Sequence, residues 1–136
     1  MKVEIQKEWY SVEQCRTNPN KLYIFGDNSI YKGKGGQAII RDEPNTHGIP
    51  TKRFPTMEEN AFMRDEPKDY EYVNTDLQIL KKIIELNDTY DTIVFPKDGL
   101  GTGLAKMPET SPKLFQELCD KLEKRFGVKM TKDGFI

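Results

Sequence analysis

The chain reads as an α/β protein built on a largely parallel central sheet, and three observations predict this. Two nearly continuous apolar, β-rich runs, "KLYIFG" (21–26) and "DTIVFP" (91–96), fit strands buried on both faces. They alternate along the chain with stretches of helical periodicity. Each run is also followed directly by a glycine-rich loop, at the edge where parallel sheets meet their ligands.

The elements follow in order. "MKVEIQ" (1–6) alternates enough for an edge strand, and "SVEQCRTN" (11–18) is a short helix behind a Ser cap, ended by Asn18-Pro19. After the strand at 21–26, "GGQAIIR" (35–41) is a short helix entered through glycine and stopped before Pro44. "GIPT" (48–51) reads as a short strand, with Pro50 counting against that assignment. Residues 54–72 read as a loop, with Pro55, Pro67 and scattered charge. "TDLQILKKIIEL" (75–86) carries a helical apolar face at 77, 80, 83, 84 and 86. The strand at 91–96 leads into the glycine loop "KDGLGTGLA" (97–105). In "SPKLFQELCDKLEKRF" (111–126), Ser111 is the expected N-cap, Pro112 the first helical residue, and 114, 115, 118, 122 and 126 the apolar stripe. Gly127 ends this helix, and "VKM" is a last short strand.

Length and composition bound the function. A chain of 136 residues is expected to form a single domain, 1–136, large enough to fold without disulfides or metal. The formal net charge of −1 leaves no global basic field, which argues against broad nucleic-acid binding. The run Lys52-Arg53, with Arg64 and Lys68 nearby, is expected to be a solvated face rather than a nucleic-acid contact. Cys15 and Cys119 each fall in an expected helix and fit reduced, half-buried thiols better than a disulfide framework. One histidine, His47, and no Cys/His cluster argue against a zinc site, and neither metal nor cofactor is expected. The first residues form no apolar signal core, and no apolar run is long enough to cross a membrane; a soluble cytoplasmic protein is the expectation.

Three segments carry chemistry. In "FGDNSIYKGKGG" (25–36), glycine lets backbone N–H groups approach an anion, and a helix starting near Gly35 would add its N-terminal dipole. Asp27 and Asn28 at the strand end could hold an adenine amine, a ribose hydroxyl or a water. The other reading is a flexible turn with Asp-Asn as an Asx-turn, and the spacing is neither a Walker loop nor the Rossmann fingerprint. In "FPKDGLGTGLA" (95–105), Gly99, Gly101 and Gly103 alternate, and Thr102 adds a hydroxyl among free backbone donors; a diphosphate held between the two loops is a sensible picture. The third element is Lys52. On an open surface its amine is protonated and inert. At a pocket lip, partly desolvated, its pKa would fall and it would become a nucleophile.

The order "GDN…KGKGGQA", "IPTKR", "FP…GLGTGLA" resembles a divergent macrodomain, the ADP-ribose-binding α/β family. It is closest to the branch containing the terminal ADP-ribose protein glycohydrolase and the DarG antitoxin; short phage-encoded proteins with a "GDN…IPTK" pattern are also similar. The resemblance spans roughly 25–105 and implies a macrodomain-like three-layer sandwich with a mixed, largely parallel central sheet. It implies that Gly33, Gly35 and Gly36 face the distal ribose, with Asp27 and Asn28 near the adenosine or distal-ribose end. Lys52 matches the lysine that attacks the anomeric carbon, and Gly101, Thr102 and Gly103 match the diphosphate loop. Gly26, Gln37, Thr51 and Gly99 complete the expected ligand-binding set. One departure stands out. The family's enzymes carry an acid after "GxGL", where this chain has Ala105, and Asp98 is the candidate substitute. The implied ligand is ADP-ribose or a related nucleotide, free or attached to protein or DNA, with the host cytoplasm as the setting if the chain is phage-encoded. Two functions follow: lysine-dependent hydrolytic removal of ADP-ribose, or sequestration of an ADP-ribose-type nucleotide without turnover.

Overall fold

The computed structural model describes residues 1–136. Strands β1 (Lys2–Ile5), β2 (Lys21–Asn28), β3 (Thr46–Lys52) and β4 (Thr92–Phe95) form one sheet in the order β1-β4-β2-β3. All three pairings are parallel. The two apolar runs are the inner strands β2 and β4, because inner strands are covered on both faces: β4 buries every position and β2 all but Lys21 and Gly26. Pro50 lies on β3, at the sheet edge, where a missing N–H breaks no ladder.

Alternation sorts the inner strands between two layers. Leu22, Ile24, Ile93 and Phe95 face the larger core, with Val73, Leu77 and Leu80 of α2 (Pro67–Leu86) and Leu114, Leu118 and Leu122 of α4 (Pro112–Phe126). Tyr23, Phe25 and Val94 face the smaller one, with Tyr10, Cys15 of α1 (Val12–Thr17), and Ala38 and Ile40 of a 3-10 turn at Gly36–Ile40. The sheet is thus sandwiched, with α2 and α4 on one side and α1 and the turn on the other. Each fully buried Leu, Ile or Phe contributes about 1.5–3 kcal/mol of transfer free energy, so the α2/α4 side carries most of the stability. Tyr10 closes the thinner side: its hydroxyl donates to the Ile24 carbonyl at 2.7 Å, and its ring meets Tyr23 edge-on at 5.6 Å. No helix is long and apolar enough to cross a membrane.

Several expectations need correction. α2 begins at Pro67, inside the stretch read as a loop: Pro67 takes the first turn, and Glu66 and Asp69 form a reciprocal capping box. Leu86, assigned to the apolar face of α2, is 84% exposed at the helix end. Ser111 precedes α4 but does not cap it. The Asp65 carboxylate accepts from the N–H groups of Leu114 (2.8 Å) and Lys113 (3.3 Å) instead, while Ser111 Oγ turns to the Met107 carbonyl. A short helix, α3 (Met107–Thr110), precedes α4. The helix expected at 35–41 is a five-residue 3-10 turn, too short to act as a dipole. The last strand, β5 (Met130–Thr131), pairs with β6 (Gly134–Phe135) in a separate antiparallel hairpin, so the main sheet is wholly parallel rather than mixed. Both thiols are buried rather than half-buried, and burial pushes each up to about 11, leaving them protonated and inert near neutral pH.

The basic run is a solvated face only in part: Arg64 and Lys68 are exposed, but Arg53 is not. Arg53 is buried, and its guanidinium grips Asp69 with two 2.8 Å bonds. Asp69, fully buried, also accepts from the N–H of Arg64 (2.8 Å) and of Glu66 (3.2 Å). Burial alone would raise this carboxyl, but the bonds from Arg53, Arg64 and Glu66 hold it below its usual value. A depressed folded-state pKa means that the pair's stabilisation is complete above the ordinary carboxyl range. It is lost as pH falls through the folded value. Asp69→Asn, which strands the Arg53 charge, is expected to destabilise the protein by about 3 kcal/mol at pH 7. Urea denaturation of both proteins checks this, with the gap narrowing under acid conditions.

Candidate functional site

Because the four strands are parallel, all their carboxyl ends lie along one edge, and the chain leaves that edge through both glycine loops. Between the loops is a cavity of about 810 Å³, within the range of small-molecule sites. All the residues singled out from the sequence line it: Lys52 and Asp98; Gly26, Asp27, Asn28, Gly33, Gly35, Gly36 and Gln37; Thr51; and Gly99, Gly101, Thr102 and Gly103. Ala105 lines it too.

The β2 end builds one wall. The register of β2 against β3 shifts between Asp27 and Asn28, so Asp27 pairs with Pro50 but Asn28 with Lys52. Such irregularities re-aim side chains at strand ends, and here Thr51 and Lys52 both reach the cavity. Asp27 is held by Arg41 through two bonds, of 2.6 and 2.8 Å, and also accepts from the Asn28 N–H at 2.7 Å. Arg41 Nε then donates to the Gly33 carbonyl at 2.8 Å, tying the first loop to the strand. Asn28 folds onto the same loop: its Nδ2 donates to the Lys32 carbonyl at 2.7 Å, and its Oδ1 accepts from the Ile30 N–H at 3.2 Å. Asp27 and Asn28 therefore shape the loop, the Asx-turn reading for Asn28 included. The backbone facing the cavity is left to meet a ligand.

Gln37 joins the two walls. Its Oε1 accepts from the Gly26 N–H at 2.7 Å, and its Nε2 donates to the Gly99 carbonyl at 3.0 Å. In the second loop, Thr102 Oγ1 donates to the Asp98 carbonyl, so that hydroxyl closes the loop rather than standing free as expected. The N–H groups of Gly101 and Thr102 have no intramolecular acceptor. Gly103 and Leu104 begin a 3-10 turn (Gly103–Ala105) whose internal bonds are donated by Ala105 and Lys106, so their N–H groups are unpaired as well. In the first loop, the N–H groups of Gly33, Lys34 and Gly35 likewise have no acceptor. Two runs of unpaired backbone donors thus flank one cavity, a concave surface suited to phosphate oxygens.

Two glycines distinguish internal packing from an open approach. Gly101 has φ +82°, and a Cβ there would fall 2.3 Å from the Met107 sulfur. Its bareness is required by the fold. Gly35 has φ −80°, which any residue adopts, and a Cβ there would meet nothing within 4 Å. Its bareness has no internal cause and leaves room for a ligand.

Lys52 ends β3, half-buried, and donates to the Thr56 carbonyl; its Nζ lies 3.6 Å from the Met57 sulfur and 5.1 Å from the Phe62 ring centre. Burial first, and then the charge of Lys106, lower its pKa. Asp98 is half-buried, and its carboxylate has neither a hydrogen-bond nor an ion-pair partner. Sequence reasoning missed Trp9, the single tryptophan, which stands 73% exposed at the cavity lip, and Lys132 and Asp133 from the β5–β6 turn. No spacing rule links residue 9 or 132 to the glycine loops. The chain's single tryptophan, set in the polar stretch "QKEWYS", was the available signal for Trp9.

The fold and site define an α/β protein with a ligand-sized cavity at the carboxyl edge of a parallel sheet. The chain belongs to the family of unknown function DUF7831, which it matches over residues 5–121, a span holding both glycine loops and Lys52 but not the terminal hairpin. No curated protein and no solved structure matches it.

The contrast between the glycines is measurable. Gly101→Ala forces a shift of Met107 and a strained left-handed alanine, and is expected to lower stability by about 1–3 kcal/mol. Gly35→Val is expected to leave the thermal midpoint within a degree or two of the parent, since substitutions away from packed features change stability by about 0.5 kcal/mol or less. Thermal unfolding of the two variants checks both.

Proposed function

We propose that the protein is macrodomain-like: it binds ADP-ribose or a related nucleotide in this cavity and hydrolytically removes ADP-ribose from a modified protein or DNA through Lys52. The observation that carries the reading is the pair of unpaired N–H runs, at 33–35 and 101–104, flanking the cavity that also holds Lys52. A diphosphate offers acceptor oxygens to both runs, and a sugar beyond it extends toward the amine. The one-lysine, two-glycine-loop order of the sequence resemblance supports the same assignment.

The chemistry balances. The neutral Lys52 amine attacks the anomeric carbon while the bond to the attached macromolecule breaks, and the departing atom takes up the proton that Asp98 relays from the attacking nitrogen. The amine loses its proton to the Asp98 carboxylate. The sugar ring opens as the nitrogen forms an imine and the ring oxygen gains a proton. Water then adds to the imine carbon and Lys52 leaves, giving free ADP-ribose. Net, one water is consumed for each bond broken. The position of Asp98 in the cavity, its carboxylate unpartnered, suits this proton traffic.

A second reading has its own support. Ala105 supplies no carboxylate, and the Thr56 carbonyl and Phe62 ring both favour Lys52 as an ammonium. Under that reading the protein sequesters an ADP-ribose-type nucleotide, and Lys52 is a charge for the ligand rather than a nucleophile.

ADP-ribose is expected to change the fluorescence of the single tryptophan and to bind more tightly than AMP by calorimetry, with Gly35→Val abolishing both effects. Borohydride added during turnover is expected to leave a reduced ADP-ribosyl adduct on Lys52, located by peptide mass. Lys52→Ala and Lys52→Arg are expected to abolish release, since a guanidinium stays protonated. Asp98→Asn is expected to slow release by about 10²–10⁴. Release retained by Lys52→Ala would remove the catalytic assignment. Binding without release from any ADP-ribosylated substrate would establish the sequestering reading.

A further inference from the structure

We propose that Lys106 is a positioning residue for Lys52: the two amines share the ring of Phe62, and the charge of Lys106 keeps the Lys52 amine available as a nucleophile. The inference rests on the reading of Lys52 as a reacting amine.

Three observations on the geometry carry it. First, Lys52 Nζ and Lys106 Nζ lie 5.1 and 5.6 Å from the same ring centre. Their charges therefore stand within roughly one Debye length of each other, across a partly buried surface. Second, neither lysine makes an ion pair with a carboxylate, although eleven ion pairs join other charged groups of the protein. The repulsion between them is not locally neutralised. Third, Lys106 has φ 53°, in the left-handed region where a residue with a side chain costs about 1–2 kcal/mol over glycine. The backbone at this junction between the 103–105 turn and α3 suits glycine or asparagine. A lysine here has a role for its side chain rather than for its backbone.

The surroundings set the sign. Toward Lys52, residues 56–57 present the Thr56 carbonyl and the Met57 sulfur, and the next segment presents the Phe62 ring; all three accommodate an ammonium. Arg53, its neighbour on the chain, is turned into Asp69, and Glu59 lies toward Arg64. Asp27 is paired with Arg41. Lys32, Asp98, Lys132 and Asp133 line the same cavity. Glu58 is exposed on the intervening loop. Against the carbonyl and the ring stand burial and Lys106, which together lower the pKa of the Lys52 amine. Two cations on one ring also divide its attraction, so each holds its proton less well than it would alone. An amine activated by a neighbouring cation is an established device for imine chemistry.

The test reads Lys52 reactivity without depending on ADP-ribose. The folded protein is incubated with ribose 5-phosphate, whose open-chain aldehyde condenses with a neutral amine, losing water to give an imine. Cyanoborohydride then reduces the imine to a stable secondary amine, quantified on Lys52 by peptide mass from pH 6 to 10. The expected result is faster labelling of Lys52 than of the exposed Lys97, with a profile that Lys106→Met moves to higher pH. The rate at pH 7.5 should fall about threefold to tenfold, tenfold being the effect of one pH unit. Lys106→Arg, which keeps the charge, should track the parent, and Lys106→Glu should move the profile further than Lys106→Met. Lys106→Asn, which removes the charge and suits the left-handed backbone, should reproduce the Lys106→Met shift even if the methionine variant is unstable. A Lys106→Asn profile superimposed on the parent's would overturn the proposal, as would parental labelling of Lys52 no faster than of Lys97. If the shift appears but ADP-ribose neither binds nor is released, the amine pair stands and the nucleotide assignment falls.

Discussion

The buried Arg53–Asp69 pair is the constraint on which the working edge depends. It joins the residue after β3 to the first turn of α2, and through the Arg64 and Glu66 N–H groups it fixes the irregular segment between them. That segment cannot drift, because the Arg53 N–H also reaches the Ala61 carbonyl at 2.7 Å and Lys52 bridges to Phe62. Lys52, Phe62 and the cavity lip are thereby placed by one desolvated carboxylate with four donors around it. Such a pair contributes little relative to well-packed apolar residues, yet it is costly to break. Its value here lies in geometry: it aims the last residue of an edge strand, where no further strand would hold it.

A comparable device holds the opposite wall. Arg41 clamps Asp27, and Gly48 must lack a side chain because a Cβ there would lie 2.5 Å from the Asp27 carboxylate. The first loop is also pinned from outside the cavity, where the Tyr31 hydroxyl donates to buried Asp76 at 2.7 Å and His47 meets the Asp76 carbonyl at 3.0 Å. Charged side chains are thus turned inward as struts, and backbone N–H groups of the loops are left unpaired beside the cavity. This division suits recognition of an anion by rigid N–H groups, which need no reorganisation when the ligand arrives.

What the sequence made legible was whatever a local pattern encodes. Apolar runs at 21–26 and 91–96 marked the inner strands, and glycine clusters directly after them marked the loops, because parallel topology sends both to one edge. Lys52 was found by its place at the end of "IPTK". What stayed hidden depended on partners distant in sequence. Arg41 and Met107 act through contacts with residues 27 and 101, and Gln37, expected only as a ligand contact, ties residue 26 to residue 99; no periodicity announces these partners. Pro67 and its flanking acids read as loop material, yet they form a helix start once Asp69 is buried against Arg53. Ser111 obeyed a capping rule that Asp65 overrode, because a carboxylate reaching two N–H groups is a stronger cap than one hydroxyl. Asp27 and Asn28 were read as facing a ligand or as an Asx-turn; both line the cavity, with Asp27 also clamped by Arg41 and Asn28 donating to the Lys32 carbonyl.

The same edge holds a tension that bears on the two functions proposed for it. A site built only to retain an anion gains from every positive charge, and a protonated Lys52 resting on a carbonyl and a ring would serve. A site built to cut a glycosidic bond needs that amine neutral, and must oppose the carbonyl and ring that favour its proton. Burial and Lys106 supply this opposition, and Lys106 does so from a backbone position that glycine would occupy with less strain. A retained nucleotide would also bring two negative charges toward Lys52 and push its pKa back up. A diphosphate held on the loops' unpaired N–H groups, with Lys32 and Lys132 also lining the cavity, would limit that effect. A paired amine beside the loops' unpaired backbone donors is thus an arrangement that chemistry at Lys52 would use and that simple retention would not require.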